Sequence, residues 1–192
     1  LGVNEKQIKR DFSFKFDSLQ LNQNSVFEKN HKMKDKKIII CASTHHPEEE
    51  ILIQAFQKLD LENIIIILVP RHPDRAKAVY KKINDTGLSI SLFSEENSKL
   101  DYSKQVILVD KIGHLESLFS IADIAFIGGS LIPRGGQNFL EAVKFSLPIS
   151  SGQSVFNFQE IAHDLLKHKI LKQGNSAEEL RNIWYEQLRD SS

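Results

Sequence analysis

The sequence predicts an α/β domain of the Rossmann-like type, in which a parallel sheet is flanked by helices. Short apolar runs rich in β-branched residues alternate with stretches whose apolar residues recur at i, i+3, i+4 and i+7. Runs of this kind are typical of strands buried on both faces, and the helical stretches are long enough to connect parallel strands. Such connections are right-handed crossovers, which place helices against the sheet.

The first half of the chain predicts two strand–helix units and two further strands. Residues 36–42 predict the first strand, and the apolar spacing after residue 47 predicts a helix whose acidic first turn, 48–50, suits the positive end of the helix dipole. The following elements are predicted at 63–69 (strand), 74–84 (helix), 88–93 (strand) and 105–109 (strand).

The second half continues the alternation. The predicted elements are a helix around 115–122, a strand at 124–127, a helix at 137–145 after a glycine-rich loop, and a short strand at 148–150. Two helices close the chain, with apolar stripes that run from Phe158 to Leu165 and from Leu180 to Leu188.

Composition and charge exclude several classes of protein. A chain of 192 residues, 41% of them hydrophobic, is one ordinary domain that needs neither a disulfide nor a structural metal. Its 25 basic and 25 acidic residues exclude a protein that holds nucleic acid by bulk charge. The longest apolar run, 64–69, is far shorter than the roughly 18 residues needed to span a bilayer. The single cysteine, Cys41, is expected to be a core residue rather than a nucleophile.

Residues 1–35 are predicted to form an interdomain arm or linker, and residues 36–192 the domain itself. Apolar residues before position 37 keep no regular period, and basic residues outnumber acidic ones there. The cluster 32–37 is interpreted as a solvated face, with weak contact to anionic lipid headgroups as the alternative. The chain begins without an initiator methionine or a signal core, which resembles the middle of a longer protein.

Folds of this class bind ligands at the carboxyl ends of their strands, so the loops after residues 42, 69, 109 and 127 are candidate sites. In the second of these, Pro70 and Pro73 stop the strand and hold Arg71 at the sheet edge. Arg71 can bind a phosphate or a carboxylate. The alternative is a solvated arginine that pairs with acids of the next helix.

The loop 128–138 is the most specific of the four. Its four glycines let the backbone approach a ligand, and the helix predicted to begin near Gln137 offers N–H groups to a phosphate. The loop is neither a P-loop nor a dinucleotide fingerprint. Asn138 and Glu141 are placed on one helix face, where the carboxylate can accept both hydroxyls of a ribose. An unliganded glycine-rich turn is the alternative.

The other two loops give weaker signals. Residues 110–114 end at a predicted helix start, where backbone amides can meet the base or sugar of a nucleotide. His45 and His46 follow the first strand, but consecutive side chains of an extended segment point apart and no third ligand has suitable spacing, so no metal is predicted. A polar loop that lines a sugar pocket and a simple helix cap are the two interpretations left open.

Five segments together resemble, in order and spacing, the C-terminal half of the bacterial 3-deoxy-D-manno-octulosonic acid (Kdo) transferases. These segments are 42–45, 69–76, 122–131, 135–138 and 157–161. The resemblance implies the GT-B glycosyltransferase fold and makes the chain the half that binds the donor, CMP-Kdo, in synthesis of the lipopolysaccharide inner core. It also implies a cytoplasmic protein, peripheral at the inner face of the inner membrane of a Gram-negative bacterium, whose acceptor is a lipid A precursor.

The resemblance further implies which residues contact the donor. The residues expected at CMP are Pro70, Arg71, Ile112, Gly113, His114, Asn138, Phe139, Leu140 and Glu141. Those expected to line a sugar pocket are Ser43, Thr44, His45, Gly135, Gly136 and Gln137. Since CMP-Kdo has one phosphate, an arginine and a helix N-terminus can neutralise it, and neither a metal nor a cofactor is expected.

Three positions depart from the family pattern. His114 stands in place of glutamate, Gln137 in place of histidine and Pro47 in place of glycine. The family's N-terminal domain, which carries the acceptor surface and the catalytic base, has no counterpart in these 192 residues. We therefore predict no catalytic residue in this chain, and contact with the lipid acceptor only through such a domain. Alternatives are a non-catalytic remnant or binding module of this fold, and the donor half of another GT-B enzyme that uses a UDP-sugar.

Overall fold

The computed structural model describes residues 36–190, so the predicted arm at 1–35 lies outside the described residues. Within this range seven strands form one sheet: β1 (Lys37–Thr44), β2 (Ile64–Pro70), β3 (Ile90–Leu92), β4 (Val106–Leu108), β5 (Ile124–Ile127), β6 (Ile149–Ser151) and β7 (Leu171–Gln173). The strand order is β3-β4-β2-β1-β5-β6-β7, and every neighbouring pair is parallel. The predicted fold class is confirmed.

Helices cover both faces of the sheet. In the described range they are α1 (Glu48–Gln57), α2 (Ala76–Asn84), α3 (Leu115–Phe119), α4 (Leu140–Lys144), α5 (Gln159–Lys167) and α6 (Ala177–Asp190), with 3₁₀ turns at Pro73–Arg75 and Phe156–Phe158. Buried residues of α3, α4 and α5 share one core cluster, and those of α1, α2 and α6 share another. None of these helices has the length and apolar character needed to cross a bilayer.

Strand β1 contributes to both core clusters by alternation. Ile38 and Ile40 pack against the α3–α5 side, whereas Ile39 and Cys41 pack against the α1, α2 and α6 side. Because every one of these residues is buried, the strand is recognisable as a continuous apolar run rather than as an alternating pattern. Burial also raises the pKa of the Cys41 thiol, with Glu48 and Glu49 as smaller contributions, as expected of a core cysteine.

Strand β7 is absent from the sequence prediction. Leu171 is buried, but the other two residues, Lys172 and Gln173, are half-buried. The strand is hydrogen-bonded to β6 alone, at the edge of the sheet. An edge strand of three residues needs no apolar run, so the local sequence carries too little signal to identify it.

Helix α4 begins at Leu140, so the helix start predicted near Gln137 is wrong. Gly136 has a φ of +77° and donates its N–H to the Gly129 carbonyl at 2.8 Å, which keeps this part of the loop out of helical geometry. The Asn138 side chain accepts the Leu140 N–H at 3.1 Å, two residues on, in the turn that precedes the helix. Gln137 therefore belongs to the loop, and its N–H is not part of a helix end.

Candidate functional site at the carboxyl edge of the sheet

The carboxyl ends of three adjacent strands bring the predicted loops side by side. The Thr44 carbonyl accepts the Arg71 N–H at 2.9 Å, and the Ala42 carbonyl accepts the Gly128 N–H at 2.8 Å. Both bonds continue the sheet ladders beyond the last paired residues of β2 and β5. The loops after β1, β2 and β5 therefore start from one rigid edge.

The end of β1 is irregular at Ser43. Its φ is +55°, and the pairing with β2 skips this residue. Gly128 packs directly on it, because a Cβ at position 128 would lie 2.5 Å from the Ser43 carbonyl oxygen. Only glycine fits this contact, so the loop after β5 passes as close to β1 as a backbone can.

A buried carboxylate from α1 holds the glycine-rich loop. Glu48 has no exposed surface, and its Oε2 accepts the N–H groups of Gly129 at 2.7 Å and His45 at 2.9 Å. Its Oε1 accepts those of Ser130 at 3.0 Å and Leu131 at 2.9 Å. Three successive N–H groups of this kind form an anion-binding nest, and here the protein's own carboxylate fills it. A ligand phosphate must be bound by other groups.

The neighbouring acid, Glu49, distinguishes the two arginines that follow β2. Its carboxylate accepts hydrogen bonds from both terminal nitrogens of Arg75, at 3.1 and 3.3 Å. It also accepts one from the Thr44 hydroxyl, at 3.0 Å. Thr44 is completely buried, so its hydroxyl does not face a ligand. Arg71, by contrast, is exposed and makes no ion pair or side-chain hydrogen bond within residues 36–190. Of these two arginines, Arg71 is therefore the one available to a ligand.

Arg71 lies near the predicted ribose-binding carboxylate. Glu141 is half-buried, and burial, followed by the Glu116 carboxylate, raises its pKa. Asn138, Arg71 and Lys144 act in the opposite direction, in that order. Lys144 forms an ion pair with Glu116. The structure thus brings Arg71, Asn138 and Glu141 into one electrostatic neighbourhood.

The residues on either side of this group are positioned by the core. Phe139 is fully buried and packs edge-on against Phe158, with ring centroids 6.0 Å apart. Pro70 is buried at the end of β2, and Leu140 is half-buried. The Phe139 and Pro70 side chains thus support the site from below, and their surfaces are not open to solvent.

The predicted contacts after β4 lie beside β2 on the other side. Ile112 is 83% exposed, and Gly113 has a φ of +88°. The His114 ring is half-buried and lies 5.0 Å from the Phe93 ring, in an edge-to-face contact. An exposed isoleucine and a left-handed glycine form an accessible turn, while His114 is anchored to the core.

The predicted sugar-pocket residues are mostly covered. His45 is buried, and burial is the main cause that lowers the pKa of its ring. Gly135 and Gly136 are buried, while Gln137 and Ser43 are half-buried. No group of three or more His, Cys, Asp or Glu that could hold a metal ion is found in the described part of the chain.

Several residues that shape the loop were not predicted. Ser154 accepts the Gly135 N–H at 3.1 Å, and Asn157 donates to the Arg134 carbonyl at 2.9 Å. Ser130 accepts the Gly152 N–H at 2.8 Å. Gly152, Ser154 and Asn157 come from the segment after β6, and nothing in their local sequence indicates contact with the loop after β5. Position 157 falls within a segment of the family resemblance, which was the available signal.

Two cavities lie outside the group of predicted donor-binding residues. One, of about 560 Å³, is between α1 and α2 and includes Arg75 and Lys82 in its lining. The other, of about 590 Å³, is at the amino ends of the strands, near Asn63 and Gln105. Neither is lined by a residue predicted to bind the donor. We keep the carboxyl edge as the candidate site because the geometry of parallel sheets places ligands there.

Sequence comparison finds relatives that are longer than this chain. A bifunctional glycosyltransferase/methyltransferase of Fusobacterium nucleatum is 35% identical over 185 residues, which are 93% of this chain and 28% of that protein. A 3-deoxy-D-manno-octulosonic acid transferase of Rickettsia bellii is 34% identical over 185 residues, 95% of this chain and 44% of the relative. The chain thus spans less than half the length of these relatives. No family model matches it.

Structural comparison gives a match of similar length. The crystal structure described as the C-terminal CMP-Kdo binding domain of WaaA from Acinetobacter baumannii superposes with a TM-score of 0.77 at 29% identity, covering 83% of each chain. Both comparisons confirm the family resemblance. By sequence, this chain matches part of the 3-deoxy-D-manno-octulosonic acid transferases over 95% of its own length, and by fold it is similar to a C-terminal domain of the GT-B type.

Proposed function

We propose that this chain is the donor-binding half of a Kdo transferase, which transfers Kdo from CMP-Kdo to a lipid A precursor. The observation that carries the proposal is the pair formed by Arg71 and Glu141 at the carboxyl edge of the sheet. Arg71 is an exposed cation with no ion-pair partner in residues 36–190, and Glu141 is a half-buried carboxylate near it. The similar domain from Acinetobacter baumannii is a CMP-Kdo binding domain, which supports the same assignment.

In this proposal each group has a separate task. Arg71 binds the single phosphate, since Glu48 already occupies the backbone amides of the glycine-rich loop. Glu141 accepts the two ribose hydroxyls, and Asn138 lies beside it. The turn at Ile112–His114 contacts the base, and the buried Pro70 and Phe139 fix the position of the backbone around the nucleotide.

In the proposed complex the sugar of the donor lies near the end of β1. Ser43, His45 and Gln137 can reach a ligand with side-chain or backbone atoms, whereas Gly135 and Gly136 offer backbone alone. Thr44 contributes through the backbone, because its hydroxyl is bonded to Glu49. One phosphate can be neutralised by one arginine, so the mechanism we propose uses no metal.

Proton removal from the acceptor hydroxyl is assigned to another domain. A transfer of this type needs a base within reach of the attacking oxygen. The two acids closest to the first loop are already committed: Glu48 is bonded to four backbone N–H groups and Glu49 to Arg75 and Thr44. Neither is free to accept a proton from substrate, so we propose that the N-terminal domain of the family supplies the base.

Calorimetric titration with CMP and UDP tests the donor assignment. We expect the full 192-residue chain to bind CMP more tightly than UDP, and Arg71→Ala to weaken CMP binding about tenfold or more, because a charge-assisted hydrogen bond is lost. Arg189→Ala, which removes an exposed arginine at the end of α6, is the matched control and should bind as the wild type does. Tighter binding of UDP, or an unchanged CMP affinity in both Arg71→Ala and Glu141→Ala, would refute the proposal.

A transfer assay tests the division of labour between domains. We expect the 192 residues alone to transfer no Kdo from CMP-Kdo to a lipid A precursor, and a fusion to the N-terminal domain of the Rickettsia bellii relative to restore transfer. Orientation of donor and acceptor contributes several kcal/mol to such reactions, and donor binding alone does not supply it. Turnover by the isolated chain would show that a base has been overlooked.

We also propose where the protein works. A lipid acceptor and a cytoplasmic nucleotide sugar meet at the inner face of the inner membrane of a Gram-negative bacterium, so the assembled transferase would be peripheral there. Cell fractionation of the native protein tests this: recovery with inner-membrane vesicles, and release by salt, are the expected results. Recovery in the outer membrane would contradict it.

A further inference from the structure

The end of β2 presents side chains on two sides. The backbone at His72 is extended, with φ −119° and ψ 100°, and consecutive side chains in such a backbone point in opposite directions. Arg71 acts on Glu141, whereas the His72 ring lies 5.8 Å from that of His45 in an edge-to-face contact. The carboxyl edge therefore has an Arg71 face and a separate His72–His45 face.

Arg134 belongs to the second face. Its backbone is fixed by two hydrogen bonds, from its N–H to the Ile132 carbonyl at 2.7 Å and from the Asn157 side chain to its carbonyl at 2.9 Å. The side chain is exposed and lies close enough to His45 to help lower the pKa of that ring. Its guanidinium makes no ion pair or hydrogen bond with any residue the structure describes.

His45, one of the two histidines of this face, supplies no positive charge. A carbonyl oxygen can only accept, so the 3.1 Å contact between His45 Nδ1 and the Ser43 carbonyl places a proton on Nδ1. Burial lowers the pKa of the ring, which keeps it neutral near pH 7. The positive charge that accompanies the neutral His45 ring is therefore that of Arg134, on the loop that follows β5.

We propose that Arg134 binds the carboxylate of an acidic sugar donor while Arg71 binds its phosphate. This inference rests on the proposed function. In a 2-keto acid sugar joined to a nucleotide, the anomeric carbon carries both the carboxylate and the phosphoester oxygen, so the two anions are neighbours. Two unpaired guanidinium groups, on the loops that follow β2 and β5 at the same edge of the sheet, match this arrangement, and the planar fork of arginine suits a carboxylate. Neutral sugars lack the second anion, so Arg134 selects for acidic ones.

The test compares two ligands on the full chain. CMP and freshly prepared CMP-Kdo are titrated into the wild type, Arg134→Gln, Arg134→Lys and the control Arg189→Gln. We expect Arg134→Gln to leave CMP affinity within about twofold and to weaken CMP-Kdo about tenfold or more, with Arg134→Lys intermediate because it keeps the charge but loses the fork. A general loss of structure would weaken the binding of both ligands by the same factor. The ratio of the two affinities therefore isolates the carboxylate contact.

Four outcomes would overturn the inference. Equal weakening of CMP and CMP-Kdo, or no change in either, would show that Arg134 does not recognise the sugar acid. A wild type that binds CMP-Kdo no more tightly than CMP would reject the carboxylate site and leave the nucleotide assignment standing. A wild type that binds no CMP would reject the proposed function, and this inference with it.

Discussion

The Glu48 carboxylate and the Gly129 N–H are joined by a buried hydrogen bond of 2.7 Å, although the residues are 81 positions apart. The same carboxylate reaches the two following N–H groups of the loop and the N–H of His45. A single side chain thus fixes the loop after β1 and the loop after β5 relative to each other. Loss of that side chain should disturb both.

Replacing Glu48 should destabilise the protein strongly. Glu48→Ala leaves four N–H groups without their partner, three of them in buried or half-buried positions of the glycine-rich loop, and we expect a loss of about 3 kcal/mol or more in the free energy of unfolding. Urea denaturation followed by circular dichroism measures this. Glu50→Ala is the control: its partner Lys82 is exposed, and the loss should be at most about 1 kcal/mol. Equal losses in both variants would contradict the assigned role.

Gly128→Ala should be costly because of space rather than backbone conformation. A Cβ at this position would lie 2.5 Å from the Ser43 carbonyl oxygen, so two loops must separate, at a cost of about 3 kcal/mol in stability. CMP affinity should fall as well. Gly87→Ala provides the comparison, since its φ is +83° but nothing lies within 4 Å of the added Cβ. It should cost about 1 kcal/mol and leave CMP binding unchanged. The prediction fails if Gly87→Ala is the more damaging of the two.

The raised pKa of Glu141 predicts that the difference in stability between wild type and Glu141→Gln depends on pH. Burial raises its pKa above the ordinary value, so the folded protein binds this proton more tightly than the unfolded chain does. That contribution to stability is present at low pH and is lost as pH rises through the pKa of the folded state. Glu141→Gln should therefore be more stable than wild type at about pH 7, with the advantage shrinking on acidification to about pH 4.

The Glu141 experiment uses urea denaturation at both pH values. Glu178→Gln, which removes an exposed glutamate in the first turn of α6, is the control and should show no advantage at neutral pH. Glu141→Gln should lose CMP affinity while gaining stability. A variant that is less stable than wild type at neutral pH would argue against the environment described for this carboxylate.

The Trp184 indole should report the docking of α6 on the sheet. Its N–H donates to the Ser150 hydroxyl at 2.9 Å, and both residues are fully buried. Ser150→Ala leaves the N–H unpaired and should cost about 2 kcal/mol. A double-mutant cycle with Trp184→Phe, measured by circular dichroism, separates this bond from the packing. Additive effects in the cycle would mean that the bond contributes nothing.

Much of the fold was predictable because the central strands are buried on both faces. Residues 36–42, 63–69, 105–109 and 124–127 are apolar runs, and each becomes a central or near-central strand with ends shifted by a residue or two. β7 was missed since a short edge strand places few demands on its residues. The start of α4 was misplaced because the loop continues to Phe139, and the Asn138 side chain accepts the Leu140 N–H in the turn before the helix.

The candidate site was predictable in position and less so in chemistry. Parallel topology places the loops at one edge, and Arg71, Asn138 and Glu141 meet there. Local sequence does not distinguish Arg71 from Arg75, because the ion pair that occupies Arg75 comes from Glu49, 26 positions away. Glu48 was interpreted through its own helix, whereas its partners belong to a distant loop. Long-range polar contacts of this kind leave no periodic trace in the sequence.

The occupied nest has a consequence for how donor preference can change over evolutionary time. Where backbone amides grip a phosphate, every donor is held by the same atoms, and mutation can hardly alter them. Here the Glu48 carboxylate takes those amides, so under the proposed function recognition depends on exposed side chains such as Arg71 and Arg134. Single codon changes can exchange these side chains without disturbing the scaffold, so closely related domains can diverge in the sugar they accept while keeping one fold.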